Sequence, residues 1–93
     1  MKLEEVCMAL ADQTRRRLVS IVESEGPLSS KQAHQIFHQR YSDLRRESIY
    51  KALERLVSAE ILSKEYQKNR GIVYSLCTDE ILLNLTTMNA CEQ

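Results

Sequence analysis

Hydrophobic positions between residues 44 and 62 recur with the period of an α-helix. Five apolar residues share one side of this helix: Ile49, Ala52, Leu53, Leu56 and Ala59. The opposite side is polar, and Arg45 and Arg46 stand where the helix begins. An ordinary solvated face needs only Glu and Lys pairs, so the added arginine and tyrosine mark this side as a candidate functional surface.

Shorter helical patterns come before this segment. Apolar spacing predicts helices at residues 3–11, 13–23 and 31–40. Asp12 is the expected N-cap of the second helix, and either Ser29 or Ser30 caps the third. Gly26 and Pro27 end the second helix, because glycine supplies a left-handed cap and proline cannot continue the helix.

Two β-type runs follow, at residues 61–67 and 72–77, separated by a turn at 68–71. Gly71 supplies the positive φ that a tight hairpin needs. Leu28 is expected to form a strand of only one or two residues. The resulting order of helix, helix, strand, turn and strand is typical of a winged helix-turn-helix.

The chain ends in a predicted helix at residues 78–91 that is apolar on more than one side. Ile81, Leu85 and Met88 form one stripe, whereas Leu82 and Leu83 point elsewhere. We expect the surplus to pack in a homodimer, together with the first helix. The expected dimer contacts are Leu3, Val6, Cys7, Leu82, Leu85, Met88 and Cys91. An additional contact with the first helix inside one monomer is the alternative.

The whole chain, residues 1–93, is therefore predicted to be a single winged-helix domain. Its fold class is α+β, mainly α: a three-helix core and a β-hairpin wing, with an additional C-terminal dimerisation helix. The predicted parts are dimerisation helices at 1–11 and 78–91, the helix-turn-helix at 31–59 and the wing at 61–77.

Composition excludes several classes of protein. A hydrophobic fraction of 43% and a charged fraction of 28% are ordinary for a folded soluble domain. No apolar run approaches the roughly 18 residues of a membrane span. The first residues, MKLEEVCMALA, carry acids where a signal peptide carries bases. We therefore expect an intracellular protein.

The formal net charge is zero, but the charges are unevenly distributed. Residues 31–70 carry nine bases and five acids, whereas residues 71–93 carry three acids and no base. The positive excess coincides with the helix-turn-helix and the wing, as a nucleic-acid-binding surface requires. Chance clustering of charges on a solvated surface is the alternative.

Three stretches resemble known families of winged-helix repressors. MALADQTRRRLVSIVES is similar to the opening of ArsR-type repressors. SIYKALERLVSAEIL resembles the recognition helix and next strand of PadR-type and ferric-uptake-regulator-type repressors, and NRGIVYSLCTDE resembles the wing of the same superfamily. These resemblances imply a DNA-binding regulator. In size and cysteine use, the chain also resembles small winged-helix proteins of viruses of hyperthermophilic archaea, which would place it in the host cytoplasm.

The chain departs from these families at two points. Glu60 stands where a glycine usually follows the recognition helix, so the end of this helix must form without the easy left-handed cap that glycine gives. The Cys-x-Cys pair of many ArsR proteins and the His-rich sites of the ferric-uptake type are missing. Neither a metal nor another cofactor is therefore expected.

A helix in the major groove presents its N-terminal half to the bases. Four residues are placed to contact base edges: Glu47, Tyr50, Lys51 and Glu54. Four others are better placed for phosphates: Arg45, Arg46, Ser48 and Arg55. Lys68 and Arg70 would bring the wing to the backbone or the minor groove, with Lys64 and Lys31 less certain. The family resemblance supports Ser48, Tyr50 and Lys51 most directly.

The histidine pair and the arginine run can each be explained without a metal site. His34 and His38 have the spacing of a zinc-binding pair, but no supporting ligand accompanies them, so solvated or phosphate-adjacent histidines are favoured. Arg15, Arg16 and Arg17 occupy a first helical turn, where positive charge is slightly unfavourable. Either nearby acids or DNA phosphates would balance them.

The cysteines, Cys7, Cys77 and Cys91, lack the spacing of a zinc ribbon or a redox pair. They are either small buried apolar residues or, because Cys7 and Cys91 lie on the proposed dimer elements, candidates for an interchain disulfide.

Together these patterns predict a homodimeric, sequence-specific double-stranded-DNA-binding protein that regulates transcription. An enzyme is not expected, because the sequence has no glycine-rich phosphate loop and no paired nucleophile and base. The main alternative is a winged helix that binds another protein and no DNA.

Overall fold

The computed structural model describes residues 3–77. Its elements are α1 (Leu3–Ala9), α2 (Gln13–Glu25), α3 (Ser30–Arg40), α4 (Arg46–Ser58), β1 (Leu62–Gln67) and β2 (Gly71–Leu76). This order confirms the α+β, mainly α class and the winged-helix arrangement. The predicted helix at 78–91, with the proposed dimer contacts Leu82, Leu85, Met88 and Cys91, lies outside the described residues.

The core lies where α2, α3 and α4 meet the base of the hairpin. Its largest fully buried side chains are Phe37, Leu18, Ile21, Ile49, Leu53, Leu56, Leu62 and Val6. The apolar stripe of α4 is therefore buried as its spacing predicts. Val6 is only 1% exposed within one chain. Its predicted dimer contact is wrong, because the monomer core already buries the side chain.

The predicted helix caps form as expected. The Asp12 carboxylate accepts a 3.0 Å hydrogen bond from the Arg15 backbone N–H. Ser29 and Gln32 form a reciprocal capping box at the start of α3. Gly26 adopts φ 84° after α2, in the left-handed range that glycine tolerates. These local hydrogen bonds fix where α2 and α3 begin.

The arginine run caps the preceding helix. The Arg15 side chain donates to the carbonyl oxygen of Ala9 at 2.5 Å, and Arg16 donates to that of Leu10 at 2.7 Å. These carbonyls belong to the last residue of α1 and to the residue after it, where no partner is available inside the helix. Positive charge there also complements the negative end of the α1 dipole. These hydrogen bonds explain why Arg15 and Arg16 stand at the start of α2. Pairing with acids or contact with DNA phosphates is not needed for that.

The third arginine of the run has a different partner. The Arg17 guanidinium lies 4.5 Å from the centre of the Tyr41 ring, and that ring packs 5.2 Å from Phe37. Such a cation–π contact at the surface contributes about 0.5–1 kcal/mol. This contact joins the C-terminal end of α3 to α2.

Helix α4 ends in a left-handed residue even though that residue is not glycine. Glu60 adopts φ 62°. Its N–H donates to the Val57 carbonyl, and the Ile61 N–H donates to the Leu56 carbonyl. These two bonds form a Schellman motif, and Leu56 and Ile61 are both buried beside it. The helix end is therefore left-handed although it lacks the glycine that makes such a cap easy.

The wing is an antiparallel hairpin in which Leu62 pairs with Leu76 and Lys64 with Tyr74. Gly71 adopts φ 77° at the end of the turn, as predicted. Leu28 makes an isolated antiparallel bridge to Tyr74, which confirms the very short strand. The hairpin is thus hydrogen-bonded to the connection between α2 and α3.

The cysteines in the described part of the chain lie at the surface. Cys7 and Cys77 are both exposed and unpaired. The interpretation of them as small buried apolar residues is wrong for these two, and Cys91 lies outside the described residues. Among residues 3–77, no helix has the length and apolar character needed to cross a membrane.

Candidate nucleic-acid interface

The outward side of α4 is open to solvent. Tyr50 is 48% exposed, and the Lys51 side chain is 73% exposed. Lys51 lies one turn after Glu47, and their charged groups are 3.3 Å apart. Such an exposed pair contributes little stability, so either side chain can exchange its partner at low cost. A predicted base-contacting pair therefore lies on an accessible surface.

The beginning of α4 is positively charged. Arg45 is its N-cap residue, and its side chain makes no capping hydrogen bond. Arg46 and Ser48 follow it, and all three residues are exposed. The first N–H groups of a helix point outward and carry partial positive charge, so this end suits an anionic ligand. Arg55, the fourth predicted phosphate contact, is exposed in the last turn.

Glu54 differs from the other predicted base contacts, because both of its carboxylate oxygens have partners. Oε1 accepts a 2.8 Å hydrogen bond from Lys64 Nζ, and Oε2 accepts a 2.7 Å bond from the Tyr74 hydroxyl. Lys64 and Tyr74 are opposite each other on the two wing strands. Glu54 therefore joins α4 to both strands of the wing.

Ionisation of these groups reflects the same contacts. The hydrogen bond from Lys64, together with that from Tyr74, lowers the pKa of the Glu54 carboxyl below its usual value of 4.5. The bond to Glu54 raises the pKa of the Lys64 amine. Burial, and then the bond to Glu54, raises the pKa of the Tyr74 phenol. Near neutral pH the contact thus joins a carboxylate, an ammonium group and a neutral phenol.

Arg70 joins the turn of the wing to the start of α3. Its guanidinium donates to the Pro27 carbonyl oxygen at 2.7 Å and to the Gln32 side-chain oxygen at 2.9 Å. The same Gln32 oxygen accepts the Ser29 N–H in the α3 capping box. The side chain of Arg70 is therefore directed back to the start of α3. Lys68, the other predicted wing cation, is exposed in the turn.

A shallow cleft of about 410 Å³ runs between the start of α3, α4 and the wing. It is lined by Ser29, Ser30, Lys31, Arg46, Tyr50, Glu54, Lys64, Arg70, Ile72 and Tyr74. Four of these residues are cations and one is an acid. Helix α4 and the wing thus form a continuous surface with an excess of positive charge.

The sequence interpretation did not identify several residues that shape this surface. Tyr74 and Gln32 were not singled out, and Lys64 was considered only as a DNA contact. The alternation of β1 and β2 could have placed Lys64 and Tyr74 on one face. Their common partner lies 20 positions before Tyr74, so local spacing could not identify it.

The two histidines hold the turn that precedes α4. The His34 ring nitrogen lies 2.7 Å from the Leu44 carbonyl oxygen, and His38 lies 3.3 Å from an Asp43 carboxylate oxygen. His34 is half-buried and bonded, and His38 is exposed, so of the solvated or phosphate-adjacent histidines that the sequence predicts only His38 is freely solvated. In the described part of the chain, no group of three metal-binding side chains comes together.

Comparison with known proteins agrees with this architecture. The chain is similar to the crystal structure of an ArsR family transcriptional regulator, with a TM-score of 0.69 and 22% sequence identity. The similarity covers 98% of this chain and 91% of that one. No protein-family model matches the chain, and the search of curated proteins finds no match. The likeness shows a winged-helix fold.

Proposed function

We propose that this protein is a transcriptional regulator that binds double-stranded DNA in a sequence-specific manner. Helix α4 would enter the major groove, and the wing would lie on the backbone or the adjacent minor groove. The observation that carries this proposal is the exposure of Tyr50 and Lys51 on the outer side of a helix whose other side is buried. A major groove about 12 Å wide accommodates such a helix.

The residues divide into two kinds of DNA contact. Glu47, Tyr50 and Lys51 would meet base edges, with Lys51 donating to guanine acceptors and Glu47 accepting from cytosine. The predicted phosphate contacts are Arg45, Arg46, Ser48, Arg55 and Lys68. These contacts would position the protein without distinguishing sequences.

Two of the ten predicted contacts are assigned a different role. Glu54 has both oxygens bonded to the wing, and Arg70 is bonded to Pro27 and Gln32. A DNA contact made by the Glu54 carboxylate, or by the Arg70 nitrogen that bonds Pro27 and Gln32, would compete with these existing bonds. We therefore assign Glu54 and Arg70 to positioning the wing relative to α4.

The proposal includes a homodimer. Leu3 and Met8 on α1 are 60% and 57% exposed, and Cys7 between them is exposed as well. A second chain would cover these side chains, with residues 78–91 supplying the remaining contacts. Two α4 helices would then enter successive major grooves about 34 Å apart. Cys7 is accessible for an interchain disulfide with Cys7 or Cys91 of the second chain, which non-reducing electrophoresis tests directly.

The source and the compartment belong to the same set of proposals. A viral protein acting in the cytoplasm of an archaeal host would follow from the resemblance in size and cysteine use. We propose a binding protein and not an enzyme.

Salt dependence separates DNA binding from the alternative of a protein-binding winged helix. A duplex held through several phosphates loses affinity steeply between about 50 and 200 mM salt, because binding releases counterions. Selection from a random DNA pool at low salt would then give the operator and show whether its halves are symmetric. Failure to enrich any sequence, together with no binding to bulk DNA at low salt, would exclude the proposal.

A further inference from the structure

The wing carries an exposed apolar pair that its polar contacts do not explain. Tyr66 is 74% exposed and Ile72 is 48% exposed, and the two residues are direct partners across the hairpin. Side chains two positions apart on a strand share a face. Tyr66 and Ile72 therefore continue the face of Lys64 and Tyr74, one step nearer the turn and beyond the contact with Glu54.

This pair adjoins the proposed DNA surface. Ile72 lines the same cleft as Tyr50, which is 48% exposed on α4. Arg46 and Lys64 also line that cleft. Single exposed apolar side chains are common, but an apolar pair bordered by cations fits a partner that combines negative charge with apolar surface. Duplex DNA has both, because sugars form the walls of its minor groove between the phosphates.

We propose that Tyr66 and Ile72 contact the deoxyribose walls of the minor groove and supply a part of the binding that does not depend on salt. This inference rests on the proposed function, since it places the wing on the DNA that α4 binds. Apolar side chains that enter a minor groove are a known means of binding duplexes. No charge is neutralised by this contact, so no counterion is released.

The wing is held in place before binding. Glu54 bonds Lys64 and Tyr74, and Arg70 bonds the start of α3. The apolar pair is thus fixed relative to α4, and binding requires little additional ordering of the hairpin. A single strand, whose bases would stack on exposed aromatic side chains such as Tyr50 and Tyr66, is the alternative that the experiment must exclude.

Fluorescence anisotropy with a mixed-sequence duplex of about 30 base pairs tests the inference. Affinity for this duplex is measured over a range of salt for the wild type, Tyr66→Ala, Ile72→Thr and Tyr66→Phe. The affinity of the wild type for one strand of the duplex is measured alongside. Ser63→Ala is the matched control, because Ser63 is exposed on the other face of the same strand. Lys68→Ala provides a comparison for the loss of a phosphate contact. Circular dichroism and thermal unfolding check that each variant folds.

We expect Tyr66→Ala and Ile72→Thr each to weaken binding about fivefold to tenfold at every salt concentration. Their plots of log affinity against log salt should be parallel to that of the wild type. Tyr66→Phe and Ser63→Ala should bind like the wild type, and Lys68→Ala should have a slope shallower by about one.

Several results would overturn the inference. One is a wild type that binds the duplex while Tyr66→Ala binds equally well. Another is a slope of log affinity against log salt that differs between Tyr66→Ala and the wild type. A third is a wild type that binds the single strand more tightly than the duplex. A wild type that binds no DNA would instead refute the proposed function itself, so the two failures are distinguishable.

Discussion

The Tyr74 hydroxyl donates a 2.7 Å hydrogen bond to Oε2 of Glu54, which joins the second wing strand to helix α4. Lys64 holds the other oxygen of the same carboxylate. Among the described residues, the base of the hairpin, the Leu28 bridge and Arg70 also hold the wing. The Glu54 carboxylate provides side-chain hydrogen bonds from α4 to both wing strands.

Tyr74→Phe should lower the free energy of unfolding by about 1–2 kcal/mol, because it removes a partly buried hydrogen bond to a charged acceptor. Urea denaturation measures this change. Tyr66→Phe is the matched control, since the exposed Tyr66 should lose almost no stability with its hydroxyl. Equal stability of Tyr74→Phe and wild type would show that the bond contributes nothing.

Stability should depend on pH through Glu54. Its pKa in the folded protein lies below 4.5, so the folded state binds the proton less readily than the unfolded state. The contribution of Glu54 is therefore complete above the unfolded pKa and is lost as pH falls through the lower folded value. The difference in unfolding free energy between wild type and Glu54→Gln should shrink from about pH 7 to about pH 3.

A second substitution identifies the source of this pH dependence. Lys64→Met removes the hydrogen bond that lowers the pKa of Glu54 most. When Lys64 is already replaced by Met, the effect of Glu54→Gln on the free energy of unfolding should therefore differ less between about pH 7 and about pH 3. An unchanged pH dependence in that background would assign it to another group.

Glu60→Gly should stabilise the protein by up to about 1 kcal/mol. Glu60 has φ 62°, where a residue with a Cβ loses about 1–2 kcal/mol and glycine does not, and part of the gain is offset by the greater freedom of glycine in the unfolded chain. Ser58→Gly, at the exposed end of α4, is the control and should destabilise instead. Thermal unfolding measures the stability of both variants. If Glu60→Gly were less stable than the wild type, the positive φ of Glu60 would not be what costs stability here.

Arg16→Ala should loosen the end of α1, because its side chain holds the Leu10 carbonyl. We expect a loss of about 1 kcal/mol and faster amide hydrogen exchange confined to α1. Glu23→Ala, exposed on the following helix, should leave α1 unchanged. If the amides of α1 exchanged at the same rates in Arg16→Ala as in the wild type, this contact would not hold the helix end.

The elements of the fold could be predicted because their signals are local. The Asp12 cap and the buried stripe of α4 follow from neighbouring residues, and so does the positive φ of Gly71. The end of α4 could not be predicted in this way. Backbone hydrogen bonds and the buried Leu56 and Ile61 override the poor left-handed preference of Glu60.

The site was harder to predict, because the partners of its side chains lie on other elements. Spacing correctly placed Tyr50 and Lys51 on an exposed face. It could not show that the Glu54 carboxylate bonds the wing, or that Arg70 bonds a carbonyl 43 residues earlier. Charge and position in the sequence identify candidates for DNA contact, but contacts within the fold decide which side chains are available.

The most direct test of the proposed DNA reading by α4 is an anisotropy titration of the wild type and Lys51→Ala. Each protein is titrated against two duplexes. One carries the sequence selected from a random pool, and the other carries a scrambled version of it. Lys51→Ala should lose about 1–3 kcal/mol of the preference for the selected duplex. Its binding to the scrambled duplex should change much less. If Lys51→Ala kept the full preference of the wild type, or if the wild type itself bound both duplexes equally, the proposed placement of α4 in the major groove would be wrong.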